Sequence, residues 1–88
     1  MRSRCTTSFW NRFRQLPAET QRAARKAYRL FRRDPHHPSL QFKHIRNQIY
    51  SARINVRYRA LGIMEEGDLI VWYWIGTHAE YEKLLRKS

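Results

Sequence analysis

Four side chains in the second half of the sequence could act together on a phosphodiester: Arg53, Arg59, His78 and Tyr81. Cleaving RNA through its own 2′-hydroxyl makes three demands. The hydroxyl must lose a proton, the pentavalent phosphorane needs positive charge beside it, and the 5′-oxygen must gain a proton. Arginine meets the second demand without a metal ion, and histidine or tyrosine can serve either proton transfer. Each residue also has a plainer reading. Arg53 could pair with Glu80 or Glu82, His78 could hold the Gly76-Thr77-His78 turn, and Tyr81 could be a core residue with its hydroxyl at the surface.

For the four to meet, the chain from Tyr50 to Tyr81 must fold as a sheet. Tyr50, Ala52, Ile54 and Val56 alternate with Ser51, Arg53, Asn55 and Arg57, the pattern of a half-buried strand. Extended chain from there to Met64 would span about 50 Å, too long for a small domain, so a turn is expected near Asn55-Val56-Arg57. Glu65-Glu66-Gly67-Asp68 is a hairpin turn, with glycine available for a positive φ. Leu69 to Ile75 is apolar throughout and reads as a strand buried on both faces. Trp72, Tyr73 and Trp74 then read as packing residues rather than a base-stacking platform. In an antiparallel meander, Arg53, Arg59 and His78 can meet at one end of the sheet.

Helices must cover that sheet. Thr7 or Ser8 caps a short helix through about Leu16, with Phe9, Phe13 and Leu16 on one stripe. Leu16-Pro17 ends it, and Pro17 opens the next helix, Ala18 to Arg33. Ala23, Ala24, Ala27, Leu30 and Phe31 form the buried face of this second helix, whereas Arg22, Lys26, Arg29 and Arg33 form a cationic ridge. Asp34 to Ser39 is a proline-stiffened loop, Leu40 to Ile45 an edge strand, and Glu80 to Arg86 a terminal turn of helix. Residues 1–6 fit either an edge strand or a frayed end. The expected fold class is α+β: one domain over residues 1–88, with two N-terminal helices packed on a small twisted antiparallel sheet and a short C-terminal helical turn.

The charge narrows the partners. The net charge is +11, and residues 1–48 carry 12 of the 18 Lys and Arg against 2 of the 7 acids. Such a balance favours a polyanion, either nucleic acid or an acidic protein. Fourteen of the 18 bases are Arg, the residue suited to bidentate phosphate contacts. The ridge, with Lys43 and Arg57, is the expected contact surface for RNA or a partner, although Arg57 could equally be a solvated turn residue and the ridge a solvated face. The adjacent His36 and His37 lack companions at ligand spacing, so no metal and no cofactor are expected. Cys5 stands alone and reads as an ordinary small side chain. No apolar run reaches membrane-spanning length and no signal-peptide core is visible, so the expected setting is the cytoplasm, with no membrane contact.

Taken in order, these motifs resemble the toxins of the RelE/ParE superfamily, including its HigB-like group. The resemblance covers most of the chain. It rests on Leu16-Pro17 in a helical hairpin, Asp34-Pro35, Leu40 to Lys43, Tyr50-Ser51-Ala52-Arg53-Ile54, Tyr58-Arg59, Ile75-Gly76-Thr77-His78 and Glu80-Tyr81. It implies the toxin of a type II toxin–antitoxin system, neutralised by a cognate antitoxin. RelE-like members cleave mRNA in the ribosomal A site without a metal. On that pattern Arg53 and Arg59 would stabilise the phosphorane, His78 would transfer a proton, Tyr81 would orient the 2′-hydroxyl or the base, and the helix ridge would meet ribosomal RNA. Residues 40–49 hold no acid where some members carry a glutamate base, and Ser51 stands where the RelE pattern has a lysine. ParE-like members have a reduced set of this kind and poison DNA gyrase, so a gyrase inhibitor without catalysis stays open. A basic nucleic-acid-binding module without toxicity is the third reading.

Overall fold

A computed structural model describes residues 1–87. Its elements are β1 (Arg2–Cys5), α1 (Thr7–Arg14), α2 (Ala18–Arg33), a 3₁₀ turn (Pro38–Leu40), β2 (Lys43–Arg46), β3 (Ile49–Arg53), β4 (Tyr58–Glu65), β5 (Leu69–Thr77) and α3 (His78–Lys87). The class is α+β, and the five strands form one sheet in the order β1-β5-β4-β3-β2.

Local chemistry explains the boundaries. Thr6, one residue before the expected Thr7 or Ser8, caps α1 by accepting from the backbone N–H of Phe9 at 3.1 Å. Leu16-Pro17 separates the two helices, and Gln21 reaches back to the carbonyls of Phe13 and Leu16 at 3.2 and 3.1 Å, satisfying the open end of α1. Between β3 and β4 the Asn55 side chain accepts from the N–H groups of Arg57 and Tyr58, which folds the expected turn. The β4–β5 hairpin turns through Gly67 and Asp68, both at positive φ.

The structure corrects several expectations. The sheet is mixed rather than wholly antiparallel, because β1 pairs in parallel with β5, Cys5 opposite Trp72. The excursion through α1 and α2 carries the chain away from β1, and β5 offers the open edge on which it pairs. The second strand begins at Lys43, since Leu40 closes the 3₁₀ turn and Gln41 adopts a left-handed conformation. Val56 leaves the apolar face and lies 71% exposed in the turn. The C-terminal element is a 10-residue helix that starts at His78, two residues earlier than expected.

The core is divided by the sheet. On one face Phe9, Phe13, Ala24, Ala27 and Phe31 cover Ala52, Ala60, Ile70, Trp72 and Ile75. On the other, Tyr81 packs with Leu61 and Trp74, flanked by Ile49, Tyr73 and Leu85. A bulge between Leu61 and Gly62 lets Trp72 and Trp74, pairing to either side of it, serve these two opposite cores. No helix among the described residues is long and apolar enough to cross a membrane.

Candidate phosphate-binding site on the α3 face

Strand alternation places the site. Arg53 ends β3 and Arg59 begins β4, and the two lie directly opposite each other in the antiparallel register. Ser51 is two residues from Arg53, pairs with Leu61 and Lys43, and therefore shares their face. Two guanidinium groups on neighbouring strands repel one another, so something must hold them. Arg59 donates through Nη1 to the carbonyls of Asn55 and Tyr58 at 2.7 and 3.0 Å, inside the β3–β4 turn. Partial burial lowers its pKa, the Arg53 charge lowers it further, and Tyr81 opposes both. Arginine stays charged through such a shift, so the outcome is a pair of like charges on neighbouring strands.

The start of α3 brings the other two groups to this face. Thr77 and Glu80 form a reciprocal cap: the Thr77 N–H donates to Glu80 Oε1 at 2.9 Å and the Glu80 N–H to Thr77 Oγ1 at 3.1 Å. The His78 N–H donates to the Arg57 carbonyl at 2.7 Å, tying the helix to the β3–β4 turn. The His78 ring stacks on Tyr81 with centroids 5.7 Å apart. Its Nε2 meets Glu82 Oε1 at 2.6 Å, whereas Nδ1 is buried with no hydrogen-bond partner among the described residues. Tyr81 is buried, and its hydroxyl donates to Ser51 Oγ at 3.3 Å.

A latch on the far side of the sheet end fixes α3. Arg12 of α1 donates through Nε to the Ile75 carbonyl at 2.7 Å, lies over the Trp74 ring and reaches Glu80 at 3.4 Å. Gly76 leaves the room, because a Cβ there would fall 2.5 Å from the Trp74 ring and 2.9 Å from Arg12. The Thr77 N–H bond above all holds the Glu80 carboxyl below its ordinary range; burial opposes it, and the Thr77 hydroxyl and Arg12 add smaller lowering effects.

Arg53, Arg59, His78 and Tyr81 thus come from β3, β4 and α3 to one face. Lys43 is exposed on that face at the neighbouring strand, and Arg57 is exposed in the turn above it. Arg22, Lys26, Arg29 and Arg33 are all exposed on α2, which covers the opposite face. A groove of about 280 Å³ is lined by Lys26 and Arg53, with Leu30, Ser39, Leu40 and Ile54, which sets Arg53 beside the α2 ridge. The acids considered for Arg53 are engaged elsewhere, Glu80 with Arg12 and Glu82 with His78. Among the described residues no three His, Cys, Asp or Glu side chains group as metal ligands. Burial pushes the Cys5 thiol up to about 11, which argues against a nucleophilic role.

Arg12 had no sign in the sequence, while Glu82 was read only as a partner for Arg53 and Ser51 only as standing in a lysine's place. Thr77-x-x-Glu80 is a capping-box signature and would have started α3 at His78. With that start, Glu82 is four residues from His78 and one turn along the same helix face.

The fold and site define a small basic α+β scaffold: two helices on one face of a sheet, an arginine pair and a histidine-bearing helix on the other. The ParE-like toxin domain family model matches residues 18–83, and the chain belongs to that family. It is a RelE/ParE superfamily toxin. No curated protein sequence matches it. Among solved structures it is similar to a YoeB/ParE toxin from Agrobacterium tumefaciens, with TM-score 0.68, 16% identity, and 89% of this chain and 99% of that one covered. It is similar to the RelBE2 toxin–antitoxin complex from Mycobacterium tuberculosis, with TM-score 0.68, 22% identity and coverage of 88% and 96%. A RelE–RelB complex from Pyrococcus horikoshii gives TM-score 0.64, 17% identity and coverage of 86% and 92%.

Proposed function

We propose that this toxin is an endoribonuclease that cleaves mRNA on the ribosome and is neutralised by a cognate antitoxin. The observation that carries the reading is the register that sets Arg53 opposite Arg59 on the face where α3 presents His78. Two arginines paired across neighbouring strands fit a phosphate whose charge grows in the phosphorane. Their mutual repulsion falls when an anion lies between them, and more so as that anion gains charge. His78 is the proton-transfer group. Tyr81 keeps its hydroxyl on Ser51 and acts by holding the His78 ring in place. The 2′-oxygen bonds to phosphorus, the bond to the 5′-oxygen breaks, and the products carry a 2′,3′-cyclic phosphate and a 5′-hydroxyl.

Lys43, Arg57 and the α2 ridge supply an extended cationic surface for the RNA around the scissile bond. The groove lined by Lys26 and Arg53 brings the α2 ridge next to the arginine pair. An antitoxin has a separate place to bind. Between α1, α2 and the sheet lies a half-open apolar cavity of about 270 Å³, lined by residues such as Phe9, Trp10, Phe13, Ile54 and Trp72 and bordered by Arg25 and Arg29. Apolar side chains flanked by carboxylates match it, as befits the antitoxin of a basic toxin.

The test is cleavage of an mRNA on programmed ribosomes by purified protein. The expected result is new fragments ending in 2′,3′-cyclic phosphate. A second reading, gyrase inhibition without catalysis, draws on the match to the ParE-like toxin domain model. Intact mRNA together with blocked supercoiling would establish it in place of the first.

A further inference from the structure

We propose that Glu82 is a catalytic residue, the general base that takes the proton of the 2′-hydroxyl, and that His78 is the general acid for the leaving 5′-oxygen. The inference rests on the nuclease reading and divides the two proton transfers that the reading leaves to one residue.

The seven acids leave one candidate. Glu65 pairs with Arg4, while Glu66 and Asp68 lie in the β4–β5 turn at the opposite end of β4 from Arg59. Glu19 opens α2, and Asp34 ends it, on the other face of the sheet. Glu80 is committed to the α3 cap and to Arg12. Glu82 alone has its carboxylate at the site, 2.6 Å from His78 Nε2, and its side chain is 54% exposed. It can therefore swing on its own flexible stem while His78 stays stacked on Tyr81.

The histidine nitrogens fix the roles. Nδ1 is buried and has no partner among the described residues, so the nitrogen that can meet a substrate is Nε2. Nε2 carries its proton toward Glu82. In the proposed cycle the ring enters doubly protonated, so Nε2 cannot accept a proton but can give one and leave a neutral imidazole. The carboxylate beside it is an acceptor with no proton of its own. With the phosphate held by Arg53 and Arg59, Glu82 removes the 2′-hydroxyl proton and the 2′-oxygen attacks phosphorus. The bond from phosphorus to the 5′-oxygen breaks, and that oxygen takes the Nε2 proton from the His78 imidazolium. The cycle leaves a protonated Glu82 beside a neutral His78. Their direct contact lets the proton pass back, so the pair resets without a further group.

A leaving group that needs no proton separates the roles. Single-turnover cleavage is measured with ribosome-bound mRNA carrying either an ordinary 5′-oxygen or a bridging 5′-sulfur at the scissile position. On the oxygen substrate, Glu82→Gln and His78→Ala are each expected to cleave about 10²-fold or more slowly, the scale of general acid–base catalysis. On the sulfur substrate, His78→Ala recovers toward wild type and Glu82→Gln stays slow. Glu82→Asp, which keeps the carboxylate, regains part of the oxygen-substrate rate. Thermal melting checks that Glu82→Gln is folded, and its KM remains near wild type. Wild-type cleavage with Glu82→Gln unimpaired, or with sulfur rescuing Glu82→Gln instead of His78→Ala, overturns the assignment while the nuclease reading stands. No cleavage by the wild type overturns both.

Discussion

On one face of the sheet Tyr50, Ala52 and Ile54 lie under α1 and α2. On the other, Ser51 and Arg53, each one residue along the same strand, lie beside α3. The first face buries aromatic rings: Phe31 packs edge-on against both Phe42 and Trp72, at 5.1 and 5.4 Å. The second holds a smaller core of Leu61, Trp74 and Tyr81 and carries the paired Arg53 and Arg59 at one end. The difference follows from what an 88-residue chain can bury. Such a domain excludes only a modest area from water, so concentrating the large rings under two helices leaves one end of the opposite face free for charge. Repulsion between Arg53 and Arg59 destabilises the free chain, and the apolar face offsets it.

That division is breakable from either side. The largest effect is expected at Phe31, which is 2% exposed at the centre of the helix-covered face. Phe31→Ala should cost about 3–5 kcal/mol, much of the stability of so small a domain, and chemical denaturation should show the midpoint collapse. A smaller effect is expected on the α2 ridge. Replacing Arg22, Lys26, Arg29 and Arg33 with Gln should leave the melting temperature near wild type but weaken RNA binding. The slope of log affinity against log salt should become shallower by about 0.7 for each phosphate that the variant no longer neutralises. An unchanged slope would make the ridge a solvated face and confine recognition to the α3 side.

The smallest effect concerns the α3 cap. The folded-state pKa of Glu80 lies below its ordinary value, chiefly through the Thr77 N–H. Its contribution is therefore fully present above the ordinary glutamate range and is lost as pH falls through the lower folded value. Glu80→Gln should cost about 0.5 kcal/mol near neutral pH, a modest figure because the side chain is 53% exposed and screened. The variant and wild type should converge in stability on acidification. A pH-independent difference between them would mean the cap does not depend on the charge.

How much of this was legible from residues alone depends on range. The helices and the arginine strand were, because period and capping are local: Phe9 and Phe13 mark one stripe, and Leu16-Pro17 marks the break. The parallel pairing of β1 was not, since four residues carry no sign of the partner waiting at β5. The opposition of Arg53 and Arg59 was foreseeable only as a meeting at one sheet end, because register depends on where the Asn55 turn closes. Glu82 was hidden by a misplaced helix start. Two residues of error at His78 rotate every later side chain by about 200° round the helix axis.

The central claim is that the α3 face performs chemistry while the opposite face performs folding and partner binding. The most direct test compares the 5′ ends of cellular mRNA after brief induction of the wild type and of Arg59→Ala. The account predicts new 5′ ends within translated frames for the wild type. It predicts their loss by about 10²–10³-fold in a variant that still melts as a folded protein, the scale for removing one charge-stabilising donor. New ends at undiminished frequency in Arg59→Ala, or growth arrest by the wild type with no new ends at all, would contradict it.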